Sequence, residues 1–501
     1  HRHSMKLNSW KCTASCGGRG PRPSGLAVRS LRSGGGSSGA VSRSPAGPDP
    51  GDSAKADVGL GSKAFSRASS SGAAGPPGRD SVVAGTAAPD KAASETKRSS
   101  SNGSSHPIYS RDGTGVVHGG ERGGRPSVRD SLTTPIVQTS TYWFNNTREL
   151  IEYNEGRFES YEYGRYGNPT VQTVEAKIRD LEGAEDCLVS ASGMNSVTSM
   201  LLALVPANGH IVTTSDCYWR TRQFMINFLP KMNVGLTILP PNDLAGLKKA
   251  LDENEASLFF SESPTNPYLR CVDISAIVEL CHAKGCAVCI DSTFATPINS
   301  KALELGADLV LHSGTKYLAG HNDVLAGALC GKKDLVQTVR KFHHIMGGVV
   351  DPNAAYLLLR GMKTLELRVQ RQNATGMEIA RRLESHPKID RVWYPGLESH
   401  PDHAIAKRQM SGFGGVVSFE VRGDLWNCAK FIDNVKIPYI GPSLGGVESL
   451  IEMPAVQSYW SFGPEKRAEI GIKENLIRFA IGIEDVEDVW DDLVQALEHA
   501  D

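Results

Sequence analysis

Apolar residues recur along the chain with two different periods, and the alternation of the two predicts its architecture. Val171, Val174, Ile178 and Leu181 keep the spacing of one helix face. Asn168 suits the N-cap of that helix, Pro169 its first position and Gly183 its end. Short apolar runs at 187–190, 211–214, 258–260, 287–290 and 309–311 read as buried strands. Helical segments lie between them, one running from the turn Ala191-Ser192-Gly193-Met194 through Leu202, another capped by Asp273 and ending at Gly285. Strands alternating with helices predict an α/β fold with a large, mainly parallel sheet covered on both faces. Ligands of such sheets bind beyond the carboxyl ends of the strands. After a long helical stretch from 353 to about 383, the runs 389–394, 416–421 and 476–483 read as more widely separated strands, with a helix at 486–497. A smaller C-terminal α+β domain is therefore expected. The predicted organisation is a leader over 1–105, an arm over 106–165, a large domain over 166–369 and a small domain over 370–501.

The leader is set apart by composition. Residues 1–48 contain no Asp or Glu but carry Arg2, Lys6, Lys11, Arg19, Arg22, Arg29, Arg32 and Arg43 among serines and glycines. An acid-poor, Arg- and Ser-rich amino end is the composition of an organelle transit peptide, and Met5 is the expected natural start. From Pro45 to Ser105 acids return while large apolar residues stay scarce, so no core is expected there.

Charge and cysteine usage narrow the function. With 54 basic against 55 acidic side chains the 501-residue chain has a formal net charge of -1, which removes the electrostatic footprint of a nucleic-acid binder. No apolar run reaches the ~20 residues needed to span a bilayer, so neither a nucleic-acid nor a membrane partner is expected. Ten cysteines in a chain of this length give no disulfide framework. Cys286 and Cys289 form a C-x-x-C close to Cys281 and His282, which raises zinc as an option. A spacing of three along a strand puts the two sulfurs on opposite faces, which favours core packing over a metal site.

The chemistry gathers where the strands end. No strand is followed by G-x-G-x-x-G, Gly331-Lys332-Lys333 lacks the spacing of a phosphate-binding loop, and no helix carries H-E-x-x-H. What remains suits pyridoxal phosphate, which needs a lysine for attachment, a carboxylate at its ring nitrogen and a cradle for its phosphate. Lys316, Asp291, Gly193 with the helix that follows it, the hydroxyls of Ser313 and Thr315, and Tyr218 as a stacking ring are the candidates. Singly each has an ordinary reading as a cap, a tight turn or a solvated amine; their joint occurrence in this chain order is the signal.

The motifs Tyr163-Gly164-Arg165, Asn168-Pro169-Thr170, Ser192-Gly193-Met194, Asp216-Cys217-Tyr218, Glu262-Ser263-Pro264-Thr265-Asn266-Pro267, Asp291-Ser292-Thr293-Phe294, Ser313-Gly314-Thr315-Lys316-Tyr317 and Ser443-Leu444-Gly445-Gly446-Val447-Glu448-Ser449 resemble those of the Cys/Met-metabolism pyridoxal-phosphate enzymes, from about residue 110 to 497. Gly320-His321-Asn322-Asp323, Ala406-Lys407-Arg408-Gln409-Met410 and Ile437-Pro438-Tyr439-Ile440 fit a plant branch of that family. The resemblance implies the fold type I architecture of pyridoxal-phosphate-dependent transferases. It implies that Lys316 attaches the cofactor, Asp291 meets the ring nitrogen, Tyr218 covers the ring, and Gly193, Met194, Ser313 and Thr315 hold the phosphate. Tyr163 and Arg165 of the arm are expected to reach the phosphate bound by a neighbouring subunit in a homotetramer built from dimers, and Asn266 to lie near the phenolic oxygen. Arg478, helped by Ser443, would clamp the substrate α-carboxylate. Tyr218 and Tyr163 join Lys316 as proton-moving candidates. The implied reaction is a γ-replacement that joins an activated homoserine ester, O-phosphohomoserine in plant members, to L-cysteine and yields L-cystathionine for methionine synthesis in the chloroplast stroma. Arg220 stands where plant members carry a base and is assigned to the leaving phosphate. Trp219 departs from the usual basic neighbour, and Pro442 stands where some relatives have Glu. The same fold and lysine serve cystathionine β- and γ-lyases, and a catalytically silent scaffold is a third reading.

Overall fold

Leu258 and Phe260 lie in one core layer and Phe259 in another, which is how a strand buried on both faces divides its side chains. Cys289 is likewise separated from Val288 and Ile290, and Leu309 and Leu311 from Val310. The computed structural model describes residues 112–118, 121, 128 and 130–500. The expected leader over 1–105 lies outside the described residues, as does part of the arm.

The strands of the large sheet are β1 (Asp186–Ser190), β2 (His210–Thr214), β3 (Gly235–Leu239), β4 (Ala256–Glu262), β5 (Ala287–Asp291), β6 (Leu309–Ser313) and β7 (Gly327–Gly331), in the order β1-β7-β6-β5-β4-β2-β3. From β3 through β6 all pairings are parallel, while β7 runs against both β1 and β6. The sheet is thus mainly parallel, as the alternation of strands and helices requires. β3 and β7 carry no reading in the sequence analysis.

The second sheet holds β8 (Ile389–Trp393), β9 (Val416–Val421), β10 (Tyr439–Ile440), β11 (Leu450–Glu452) and β12 (Leu476–Ala480), in the order β10-β11-β12-β9-β8. The helical stretch expected over 353–383 is two helices, Pro352–Met362 and Leu365–Glu384. The break has a physical cause: the Gly361 carbonyl accepts from the Thr364 amide at 3.2 Å and from Arg368 Nη2 at 2.9 Å, which diverts it from the next helical turn. The second helix runs without interruption through position 370. Cys286 and Cys289 fall in different core layers, as their spacing implied. Among the described residues no helix is long and apolar enough to cross a membrane.

Candidate active site

Each chemistry-bearing segment begins where a strand ends. β1 leads into Ser192 and the helix Gly193–Leu204, β2 into Tyr218 and the helix Trp219–Asn227, β4 into Asn266, β5 into Thr293, and β6 into Thr315 and Lys316. These segments, with Ser443, β11 and β12 from the second sheet, enclose a cavity of about 410 Å³. Gly193, Met194, Tyr218, Arg220, Asn266, Asp291, Ser313, Thr315, Lys316, Ser443 and Arg478 all line it.

Lys316 donates from Nζ to Ser443 Oγ at 2.7 Å. Burial, with the Arg478 charge adding to it and the Glu452 charge opposing, pulls the ammonium down to about 8. Its backbone is fixed from next door: Tyr317 is buried, its carbonyl accepts from Arg368 Nη1 at 2.8 Å, and its hydroxyl accepts from the Gly415 amide at 3.2 Å. Ser443 is held at φ 96°, a region that non-glycine residues rarely occupy. In that conformation its hydroxyl meets Lys316 while its carbonyl accepts from Arg478 Nη2 at 2.7 Å.

Asp291 closes β5. Its Oδ1 accepts from Thr293 Oγ1 at 2.5 Å and from the Thr293 amide at 3.0 Å. Desolvation nevertheless holds its carboxyl above the ordinary range, with Thr293 and the charge of His312 pulling the other way. The adjacent carboxyl of Glu262 is pushed well up by burial and by Asp291, although it accepts the Tyr218 amide at 2.5 Å.

Ser192 caps the helix Gly193–Leu204 by accepting from the Asn195 amide at 3.1 Å, which leaves the earliest helical amides uncommitted. A Cβ on Gly193 would lie 2.9 Å from Ser313 Cβ and 3.0 Å from Ser313 Oγ. A helix N-terminus kept open by glycine beside hydroxyls is able to seat a phosphate. The Thr315 hydroxyl is anchored to Ala326, donating to its carbonyl at 3.2 Å and accepting from its amide at 3.1 Å.

Arg478 is nearly fully buried in β12. Its Nη1 lies 3.1 Å from Glu452 Oε1 and donates to Asn266 Oδ1 at 3.3 Å, while Nη2 donates to Ser443. Nε is buried without a partner, so the guanidinium keeps the Nε–H and one Nη2–H uncommitted. That pair of donors is the fork a carboxylate takes bidentately. Tyr218 sits half-exposed at the cavity, and burial raises its phenol. Arg220 is exposed at the rim, with Nη1 donating to Gln223 Oε1 at 2.7 Å. Trp219 packs edge-on against Phe462, with centroids 4.6 Å apart.

Tyr163 and Arg165 do not reach this cavity within their own chain. They line separate concavities beside Val349, where Tyr163 bridges to Thr141 and Arg165 packs on the Tyr163 and Tyr166 rings and donates to the His344 carbonyl. The sequence analysis passed over Glu452 and gave no role to Thr293 or Glu262. The signal available for Glu452 was a lone acid before Met453-Pro454 at the end of a short apolar run.

An amine of low basicity, a desolvated carboxyl, a helix N-terminus flanked by hydroxyls and a tyrosine, all on one cavity at the carboxyl edge of a type I sheet, define a pyridoxal-phosphate-dependent enzyme, and the residues present fit that cofactor. The match to known proteins agrees. The family model for Cys/Met metabolism PLP-dependent enzymes covers residues 113–498. The chain is 60% identical over 395 residues, 79% of its length and 70% of the relative's, to cystathionine gamma-synthase 1, chloroplastic, of Arabidopsis thaliana. It is 40% identical over 387 residues, 77% of its length and 98% of the relative's, to the cystathionine beta-lyase of Lactococcus lactis subsp. cremoris. A cystathionine gamma synthase structure from Xanthomonas oryzae pv. oryzae, with aminoacrylate and cysteine bound, superposes with TM-score 0.71 at 34% identity over 75% of this chain and 95% of that one. The chain belongs to the Cys/Met metabolism PLP-dependent enzymes.

Proposed function

We propose that this enzyme joins an activated homoserine ester, O-phosphohomoserine, to L-cysteine and releases L-cystathionine and phosphate as a step of methionine biosynthesis. The observation that carries the reading is the gathering of Lys316, Asp291, the Gly193 helix end and the buried Arg478 fork on one cavity, in a chain 60% identical to a plant cystathionine gamma-synthase. Pyridoxal phosphate, when bound, supplies the electron sink that lets protons leave the substrate carbons and the γ substituent depart.

The chain's own residues do the rest. Lys316 would attach the cofactor and would hold or move the protons at the substrate Cα and Cβ; an ammonium pulled down to about 8 gives up its proton at mildly alkaline pH. Asp291 would hold the proton on the ring nitrogen, whose positive charge would favour the ionised carboxylate against the desolvation it otherwise suffers. Gly193, Met194, Ser313 and Thr315 seat the phosphate, and Tyr218 covers the ring. Asn266, itself bonded to Arg478, would meet the phenolic oxygen. Arg478 takes the α-carboxylate on its free fork, with the Ser443 carbonyl accepting the other hydrogen of Nη2. Arg220 at the rim meets the departing phosphate. Tyr163 and Arg165, remote from their own cavity, serve the site of a neighbouring subunit, with Tyr163 a further proton carrier. A homotetramer of paired dimers follows from that reading. The acid-poor segment at the amino end is a transit peptide that directs the enzyme to the chloroplast stroma, and curated relatives named chloroplastic support this. The arm over 106–165, the large domain over 166–369 and the small domain over 370–501 complete the organisation.

The test is direct. Cofactor-loaded enzyme supplied with O-phosphohomoserine and cysteine should release cystathionine and phosphate in equal amounts. Cleavage of cystathionine in preference to its formation would mark a lyase and overturn the reading.

A further inference from the structure

The Arg478 fork is useful only if its plane is held still, and one holder has no part in the roles above. Glu452 ends β11, and in the antiparallel β11–β12 ladder it is the register partner of Arg478. Side chains opposite one another in such a ladder stand on the same face. Here that face is the cavity, which both residues line. Glu452 is 4% exposed and Arg478 5%, with Oε1 3.1 Å from Nη1.

We infer that Glu452 is a positioning residue that fixes the edge of the Arg478 guanidinium opposite its carboxylate-binding fork, and so sets how well the site recognises α-carboxylates. The inference rests on the reading of Arg478 as the carboxylate clamp. The geometry argues for reach as the deciding property. Three oxygens surround the guanidinium: Asn266 Oδ1 at 3.3 Å, the Ser443 carbonyl at 2.7 Å and Glu452 Oε1 at 3.1 Å. Ser443 accepts from Nη2 and Asn266 from Nη1, while the Glu452 carboxylate faces Nη1 as its ion-pair partner and settles how far the head group stands into the cavity. Shortening this side chain by one methylene while keeping its charge would draw the guanidinium back toward the sheet, because a buried cation follows its counter-ion. A glutamine would keep an accepting oxygen at the same reach.

Two reagents that capture the bound cofactor separate this role from a fold defect. Aminooxyacetate carries a carboxylate for Arg478 to read; O-methylhydroxylamine does not. The ratio of their second-order rates, followed by the loss of cofactor absorbance, measures carboxylate recognition without turnover. Glu452→Asp and Glu452→Ala should lower that ratio at least tenfold, with the O-methylhydroxylamine rate within twofold of wild type. Glu452→Gln should keep the ratio within threefold, and Arg478→Ala should bring it to its floor. A ratio unmoved in Glu452→Asp, or lost equally in Glu452→Gln and Glu452→Asp, overturns the assignment. If Glu452→Ala does not fold, the Asp and Gln pair decides alone. A wild-type enzyme that fails to make cystathionine but shows this pattern would sink the proposed reaction and leave the role of Glu452 standing. A wild-type ratio no higher than that of Arg478→Ala would sink the role of Glu452.

Discussion

Glu262 and Asp291 are register partners at the carboxyl ends of the parallel strands β4 and β5, so two desolvated carboxyls stand side by side at the cavity. Burial raises both, Asp291 adds to the cost of ionising Glu262, and both hold their protons more tightly in the folded chain than in the unfolded one. A carboxyl raised in this way costs no stability below its unfolded value of about 4, and progressively more as pH climbs through its folded value. Glu262→Gln keeps an oxygen for the Tyr218 amide and removes the ionisation. In the cofactor-free protein this variant should melt roughly 1–4 °C higher than wild type at pH 8, with the difference closing toward pH 5. Thermal scans across that range check it; a variant that melts lower at pH 8 would show that the buried carboxyl does not destabilise the folded chain.

Lys316 makes a second pH prediction, from the same desolvation acting in the opposite direction. Only the neutral amine attacks the cofactor, and the folded environment pulls its titration from 10.5 to about 8. Uptake of pyridoxal phosphate by the cofactor-free enzyme should therefore rise with pH and level off above about 8, where an ordinary lysine would keep rising. Arg478→Ala removes a charge that depresses this amine, so the plateau should move to higher pH. Stopped-flow absorbance at graded pH measures both. Lys316→Ala should take up no cofactor that borohydride can fix to the chain.

The parts of this site that are adjacent in the chain to a strand end were legible in the sequence, and the parts that depend on cross-strand pairing were not. Asp291, Lys316 and Gly193 each follow an apolar run, so period and punctuation place them at one sheet edge. Glu452 is the last of only three strand residues, and its meaning lies in a ladder with β12 that no local pattern encodes. β7 was passed over because Gly327-Ala328-Leu329-Cys330-Gly331 begins and ends in glycine, which reads as loop. Its register with β1 puts Cys330 opposite Cys187, with the sulfurs 3.3 Å apart in the core. The separation of Tyr163 and Arg165 from the cavity is likewise a tertiary fact; the motif that contains them looks the same whether it serves its own site or a neighbour's.

Gly193 offers a test of the phosphate cradle. Alanine there would set its Cβ against Ser313, where the 3.1 Å approach to Ser313 Cα leaves little to move except backbone. The helix amides would be pushed off the position a phosphate occupies. Gly193→Ala should weaken cofactor binding at least tenfold, ~1.4 kcal/mol, while the far-ultraviolet circular dichroism stays that of wild type. Titration of the cofactor-free variant with pyridoxal phosphate measures it, and an unchanged dissociation constant would remove Gly193 from the cradle.

Arg220 is exposed at the mouth of the cavity and held to Gln223, which leaves most of its donors turned to whatever enters. The departing group of O-phosphohomoserine is a dianion, and a charge-assisted hydrogen bond to it is worth about 1.5–3 kcal/mol. Losing one such contact should raise the KM for O-phosphohomoserine by roughly 10–100-fold in Arg220→Ala. The KM for cysteine should stay within about threefold, because cysteine carries no γ substituent for Arg220 to meet. An exposed cation is screened by salt, so the gap between variant and wild type should narrow as ionic strength rises. Steady-state kinetics with each substrate varied in turn, at low and high salt, settle the point. Equal increases for both substrates would place Arg220 in the general architecture of the rim and remove it from recognition of the leaving group.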